Sequence, residues 1–595
     1  MIGRIGFSKI YEQLIRMEQD LLSAQLNSLR QSVLNLSSQS QNDLEAILSI
    51  LRELESLHQK IRLESFEPFL PDSRHALYPL LRDIEEKGGW PYIERMKLQT
   101  LLKLLSLEKD LSQQISMSLQ INPIKFGTDG WRGVIAADFT FERVTFLAPI
   151  AAVVLEKEYG ANASRRIIVG YDRRFLAQEF AQAAAEAIAA VGYEVWLSET
   201  YAPTPAFSWA AKAQNALGAI VITASHNPAK YQGLKVKGAF GGSVGPEVTE
   251  KIEALLSQPP ISPRGGGSIK TFDPWLSYCQ ELRTKVNLEL IQKAVTSGQL
   301  KIFSNPMYGS ASGGLVRLLG VPITEINGQA DPLFGGGSPE PLKRYLTAFL
   351  EEVKTCQSPE KLRIGLVFDG DADRIAACDS QGNFLSSQNL IPILIEHLAS
   401  RRSLTGEVIK TVSGSDLFVR LANLYHLPIF ETAIGYKYIA DRMLTTSVLV
   451  GGEESGGIGY GTHIPERDAL LSALYVLEAV VESGEDLSTL YRKLQEKTGF
   501  FSEYDRIDLP LASMSVRNQL LENLKRNPPS LIAEQKVVDC NTIDGYKFRL
   551  ADQRWLLIRF SGTEPVLRIY CEAANSLQVQ ETLEWARNWA NSITQ

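Results

Sequence analysis

The chain has 595 residues, 44% hydrophobic and 22% charged, with a formal net charge of −7. That length exceeds what one hydrophobic core serves and predicts about four domains with clefts between them. The acidic balance excludes nucleic acid as the main partner, because a phosphate-backbone binder carries a basic face, and no run is long and apolar enough to imply a membrane partner.

At the start, Arg4, Lys9, Glu12 and Arg16 break every apolar run too early for a secretory signal. Cys279, Cys356, Cys378, Cys540 and Cys571 are far apart and form no C-x-x-C pair, so neither a zinc cage nor a disulfide framework is expected. A cytoplasmic protein is expected. Apolar residues at three-four spacing, Phe7, Ile10, Leu14, Met17, Leu21 and then Leu44, Ile47, Leu51, Leu54, predict amphipathic helices. Pro68, Pro71 and the turn Gly88-Gly89-Trp90-Pro91 divide them, and a further helix runs through Met96, Leu101, Leu104 and Leu105. Residues 1–120 are thus expected to be an all-α extension for self-association or partner binding, ending near Asn122-Pro123.

Beyond Ile124, short β-branched runs alternate with helical segments, the texture of α/β domains with mostly parallel sheets. Strands are expected from Arg166 to Gly170, Ala219 to Thr223, Leu300 to Phe303 and Arg363 to Phe368. Several end in polar or glycine-rich loops, as ligand loops at the carboxyl edge of such sheets do. Pro259-Pro260 and Pro263-Arg264-Gly265-Gly266-Gly267 read as one linker, and further boundaries are expected near Gly382 and Gly499.

Four loops carry chemistry. Thr223-Ala224-Ser225-His226-Asn227-Pro228 places Ser225 at a strand end, with Lys235 ten residues on; it lacks the G-x-S-x-G pattern of a hydrolase elbow. Asp369-Gly370-Asp371-Ala372-Asp373-Arg374 crowds three carboxylates at alternate positions, which favours a hard divalent cation, magnesium. Arg374 and Ser380 stand where an EF-hand needs glycine and glutamate, which excludes that geometry. In Gly451-Gly452-Glu453-Glu454-Ser455-Gly456-Gly457, glycines allow close approach while carboxylate and hydroxyl can grip sugar hydroxyls. Arg559-Phe560-Ser561-Gly562-Thr563-Glu564-Pro565, read as a turn between the strands Trp555 to Ile558 and Val566 to Tyr570, offers a guanidinium fork, hydroxyls and amides to one phosphate, without Walker-loop spacing.

Together and in this order, these loops and the run Lys125-Phe126-Gly127-Thr128-Asp129-Gly130-Trp131-Arg132-Gly133 resemble the α-D-phosphohexomutase family of phosphoglucomutases and phosphomannomutases, from about Lys125 to the C-terminus. The resemblance implies an α/β fold of three related α/β domains plus a C-terminal α+β domain. With the boundaries above these are 121–265 with the phosphoserine loop, 266–380 with the metal loop, 381–495 with the sugar loop and 496–595 with the phosphate loop. It implies that Ser225 carries the phosphoryl group, with one Mg²⁺ held there by Asp369, Asp371 and Asp373, and that Arg132, His226, Lys235 and Arg374 line it and assist proton transfer. Glu453 and Ser455 match the sugar-hydroxyl readers, Arg559, Ser561, Gly562 and Thr563 the site for the substrate's phosphate, joined by Arg568, and Lys437 a further phosphate contact. Arg467, in Arg467-Asp468-Ala469, stands where glucose-type members carry Lys-Asp-Gly and belongs to the substrate site, and Phe560 replaces a common proline.

The implied reaction is a phosphoglucomutase cycle in which glucose 1-phosphate and glucose 6-phosphate interconvert through a glucose 1,6-bisphosphate intermediate, which is also the activator. The Glu453-Glu454-Ser455 version of the sugar loop resembles that of glucose-type members more than mannose-leaning ones, which implies glucose. Alternatives are a phosphomannomutase or dual-specificity mutase, a glucose 1,6-bisphosphate synthase and, from another class, a non-catalytic sugar-phosphate sensor.

Overall fold

The computed structural model describes residues 24–40, 43–61, 123–127, 129–161, 164–357, 360–561 and 565–594. The chain forms two units, 1–111 and 112–595. In the first, residues 24–39 are helical and a second helix runs Leu44–Ile61, opened by Asp43, whose carboxylate accepts from the Ala46 amide at 3.0 Å. Leu44, Leu51 and Ile61 on that helix stay exposed. The helices expected over 7–21 and 96–105, and the turns between them, lie outside the described residues.

Among its described residues the second unit holds four sheets. The first contains β1 (Trp131–Val134), β2 (Arg166–Tyr171), β3 (Glu194–Ser198), β4 (Gly218–Ile222), β5 (Tyr231–Gly238) and β6 (Ser268–Phe272), in the order β1-β5-β4-β2-β3-β6. β2 and β4 are buried along almost their whole length, which explains their unbroken apolar runs. β6 pairs with β3 beyond the Pro/Gly stretch, so this sheet reaches Phe272, past the 265 boundary expected from composition. It is an exposed edge strand without an apolar run, and periodicity gave no signal for it.

The second sheet orders β11 (Phe384–Leu385), β10 (Ile375–Cys378), β9 (Leu362–Phe368), β7 (Leu300–Asn305) and β8 (Thr324–Glu325). The third orders β13 (Ile429–Thr432), β12 (Glu407–Thr411), β14 (Val448–Gly452) and β15 (Ile458–Gly459). In both, parallel strands carry an antiparallel edge. The fourth sheet is antiparallel: β16 (Glu503–Pro510), β21 (Val566–Ala573), β20 (Trp555–Phe560), β19 (Tyr546–Leu550), β18 (Gln535–Asn541) and β17 (Leu531–Ile532). Helices Met514–Arg526 and Ser576–Thr594 pack on one of its faces through Leu520, Leu524, Leu583 and Ala586. Three mixed α/β layers and one α+β layer are the architecture expected.

One apolar core runs through the first three sheets, joining Phe207 on helix Thr204–Ala213, Leu366 on β9 and Leu474 on helix Ala469–Ser483. The fourth sheet is attached differently. Trp555, Leu557 and Tyr570 meet Val412, and around this small apolar contact lies a buried polar network. Glu572 accepts from the Trp555 indole at 2.6 Å and the Asp416 amide at 2.9 Å, while Lys410, Lys547 and Arg549 share the carboxylates of Asp416 and Glu431.

Candidate active site

Ser225 follows β4 in a left-handed conformation, φ +53°, that a non-glycine residue adopts only when its surroundings hold it there. The restraints are specific. Its amide donates to Thr223 Oγ1 at 2.9 Å, and that hydroxyl donates to Asp172 at 2.6 Å. Buried Arg174 donates to the carbonyls of Ser225, Asn227, Pro228 and Tyr231, closing the loop around one guanidinium.

The metal loop meets this serine directly. Ser225 Oγ donates to Asp369 Oδ2 at 3.0 Å, and a Cβ on Gly370 would lie 2.3 Å from the Ser225 carbonyl, so only glycine permits the approach. The loop is braced on every side: Thr204 donates to Asp371 from both amide and hydroxyl, Ser310 to the Gly370 carbonyl, and the Ile375 amide to the Gly456 carbonyl of the sugar loop. Asp369, Asp371 and Asp373 are fully buried, with one oxygen from each inside a 4.8 Å span. Asp371 Oδ1 and Asp373 Oδ1 have no hydrogen-bond partner among the described residues. Buried, crowded and undersatisfied oxygens fit a magnesium ion. Burial, with Asp373 and Asp371 beside it, pushes the Asp369 carboxyl well above the carboxylate range, a cost that a cation would offset.

Lys235 and Lys237 alternate along β5 and are both buried. Lys235 Nζ lies 2.6 Å from Asp129, 2.8 Å from Asp371 and 3.1 Å from Asp373. Burial alone would lower its pKa, but the three carboxylates hold it above the ordinary lysine value, so it remains an ammonium. Asp129 also meets Lys237 at 3.2 Å and Arg467 at 2.6 Å; these cations outweigh burial and keep it well below the usual carboxylate range. His226 Nδ1 is 3.3 Å from Ser225 Oγ, and burial, then Arg374 and Arg132, push its pKa far down, so the ring is neutral. Arg132 donates to Asn227 at 2.6 Å, and Arg374 lies 3.7 Å from Glu340 and 3.8 Å from Asp373.

From here a cavity of about 400 Å³ opens toward the third and fourth sheets, with His226, Arg374, Lys437, Glu453, Ser455 and Arg559 in its wall. Glu453 is buried, which raises its pKa to about 7 against the pull of Arg467. Arg467 was expected at the substrate site and does line the cavity, but its guanidinium is committed to Asp129 and to Asp373, 2.7 Å away. Arg559 and Phe560 belong to β20 and not to a turn, because the apolar run propagates the ladder as far as Phe560↔Leu567. Arg559 Nε lies 2.9 Å from Asp544. Arg568 pairs with it across the ladder, and Ser561 follows at the strand end. Gly562 and Thr563 lie outside the described residues.

Asp129, Thr204, Arg174 and Arg506 belong to the site, yet sequence reasoning gave them no role. Asp129 sits inside the Lys125–Gly133 run, the one available signal. Thr204 and Arg174 act through contacts more than 50 positions away, which no local pattern carries.

Known proteins resemble this chain over most of its length. Family models for phosphoglucomutase/phosphomannomutase match in four pieces: α/β/α domain I over residues 123–259, domain II over 276–382, domain III over 386–498 and the C-terminal domain over 518–585. A phosphoglucosamine/phosphogalactosamine mutase from Sulfurisphaera tokodaii is 31% identical over 460 residues, 75% of this chain and 95% of that protein. A phosphoglucomutase/phosphomannomutase from Thermococcus kodakarensis is 28% identical, covering 77% of this chain and 96% of its own. A solved structure from Thermus thermophilus carrying the name phosphomannomutase superposes with a TM-score of 0.69 at 31% identity, over 79% of this chain and 99% of that one. The chain belongs to the α-D-phosphohexomutase family and is an enzyme of the isomerase class, an intramolecular phosphotransferase. Among the described residues, no helix is long and apolar enough to cross a membrane.

Proposed function

We propose that this enzyme interconverts glucose 1-phosphate and glucose 6-phosphate through a phosphorylated Ser225. The observation that carries the reading is the contact of Ser225 Oγ with Asp369 in a loop held at positive φ, facing a cavity of hexose-phosphate size. Asp369, Asp371 and Asp373 would hold Mg²⁺, which when bound withdraws negative charge from a phosphoryl group on Ser225.

The chain's own groups do the rest. Arg559, Arg568 and Ser561 receive the phosphate the substrate already carries, and Lys437, which lines the same cavity, offers a further cation. Glu453 and Ser455 grip sugar hydroxyls; a carboxyl that titrates near neutrality can both accept and donate there. The sugar's free hydroxyl attacks the phosphorus as the bond from phosphorus to Ser225 Oγ breaks; the hydroxyl gives up one proton and Ser225 Oγ takes up one, so glucose 1,6-bisphosphate and the free serine form with no net proton change. After the bisphosphate turns round, its other phosphate returns to Ser225. Lys235, locked among three carboxylates, balances charge, and the neutral His226 ring stands with Nδ1 3.3 Å from Ser225 Oγ. Positioning and charge stabilisation are what such transfers require.

The Glu453-Glu454-Ser455 version of the sugar loop supports glucose, and the similarity to a phosphoglucosamine mutase makes the amino sugar the competing substrate. Specificity constants on glucose, mannose and glucosamine 1-phosphates decide between them. Glucose is expected to lead by at least about tenfold, with bisphosphate staying catalytic in amount. A glucosamine lead would overturn the substrate assignment, and stoichiometric release of bisphosphate would identify a synthase instead.

A further inference from the structure

We propose that Arg506 is a third arginine gripping the phosphate the substrate already carries, beside Arg559 and Arg568; the inference rests on the mutase reading above. It follows from strand register. β16 pairs with β21 as Arg506↔Tyr570 and Asp508↔Arg568, and β21 pairs with β20 as Arg568↔Arg559. Residues opposed across an antiparallel ladder share a face, as do residues two apart on one strand. Arg506, Asp508, Tyr570, Arg568 and Arg559 therefore form one patch. The opposite face of the sheet is taken up by helices Met514–Arg526 and Ser576–Thr594, so this patch is the side turned to the cavity, and all five residues line it.

Within the patch the three guanidiniums are not equally engaged. Arg559 is hydrogen-bonded to Asp544 at 2.9 Å. Arg506 has Asp508 as its carboxylate neighbour at 3.6 Å, beyond hydrogen-bond length, and its side chain is 30% exposed toward solvent. Arg568 has no carboxylate within ion-pair distance among the described residues. Arg506 and Arg568 are diagonal neighbours across β16 and β21, about 7–8 Å apart at the backbone, a gap that two long side chains and the oxygens of one phosphate can close. A phosphate is the ligand this asymmetry fits: planar donor forks with unused hydrogen bonds, converging from adjacent strands.

Asp508 gives the test two signs. It competes with phosphate for Arg506, so its removal should tighten binding, whereas a purely structural Arg506–Asp508 pair would lose from either change. In steady-state assays of the full chain with glucose 1-phosphate, R506Q is expected to raise KM about 10- to 100-fold with kcat within about threefold. R506K should restore part of that affinity, and D508N should lower KM. An unchanged KM in R506Q, or a raised KM in D508N, overturns the proposal; if R506Q does not fold, D508N alone decides. Calorimetry of inorganic phosphate with wild type and R506Q tests the same residue even if no hexose phosphate is converted, so failure here is distinct from failure of the mutase reading. Equal phosphate binding by both proteins would overturn it.

Discussion

The reacting end of the site and its recognition end are built on opposite principles. Around Ser225 the charges are mostly buried and several are fully committed: Lys235 among three carboxylates, Arg174 among four carbonyls, Asp369 under two backbone amides. On the fourth sheet the arginines are half-exposed and only partly engaged. The first three sheets share one core, while the fourth adds a small apolar contact and a polar network. Preorganised charge suits phosphoryl transfer, where the protein must not reorganise during reaction. A looser, donor-rich wall suits a bisphosphate that must be held in two orientations.

The comparison can be broken at its rigid end first. Chelating the metal, or replacing Asp373 by Asn, is expected to lower kcat about 10²- to 10³-fold with little change in KM, measured against a magnesium titration. An equal loss in KM alone would place the metal in binding and not in transfer. Gly370→Ala should cost about 1–3 kcal/mol of stability by denaturant unfolding and at least about tenfold in kcat, since its Cβ would meet the Ser225 carbonyl at 2.3 Å. Full activity there would show that the two loops need not touch.

The smallest effect belongs to the buried polar network where the fourth sheet is attached. Burial, reinforced by Lys410, pushes Lys547 down to about 7, and its Nζ has no hydrogen bond among the described residues. Three cations there share two carboxylates, Asp416 and Glu431. The folded pKa lies below the unfolded value of about 10.4, so the unfolded chain binds more protons between them and this group makes stability rise from about pH 7 toward pH 10. Lys547→Met is therefore expected to raise the unfolding midpoint at pH 6 by about 2–4 °C and by about half of that or less at pH 9, where the lysine is neutral in the folded chain but still protonated in the unfolded one. A lower midpoint at pH 6 would mean that the lysine stabilises the junction as a charge.

Much of this was legible from sequence because the chemistry sits where apolar strands end. Ser225 after β4, the three aspartates after β9 and the sugar loop after β14 each follow a run that burial makes conspicuous. What escaped was non-local or lacked an apolar signature. Thr204 reaches Asp371 across 167 positions, Arg174 clamps a loop about 50 residues away, and Arg506 lies in a part-exposed strand with no buried apolar run to mark it. β6 was hidden by the linker before it, and the place of Arg559 on β20 rather than in a turn by the end of the apolar run at Ile558.

The central claim is that Ser225 carries the phosphoryl group. Tandem mass spectrometry of the enzyme after incubation with glucose 1,6-bisphosphate and magnesium addresses it directly. The expected result is one phosphoryl group, located on Ser225, whose isotopic label, brought in with the bisphosphate, passes into the hexose phosphate pool on adding unlabelled glucose 1-phosphate while Ser225 stays phosphorylated, because each cycle returns one phosphate; Ser225→Ala should take up none and lose at least about 10⁴-fold in turnover while keeping its fold. A phosphoryl group on another residue, or a Ser225→Ala enzyme that still turns over, would contradict it.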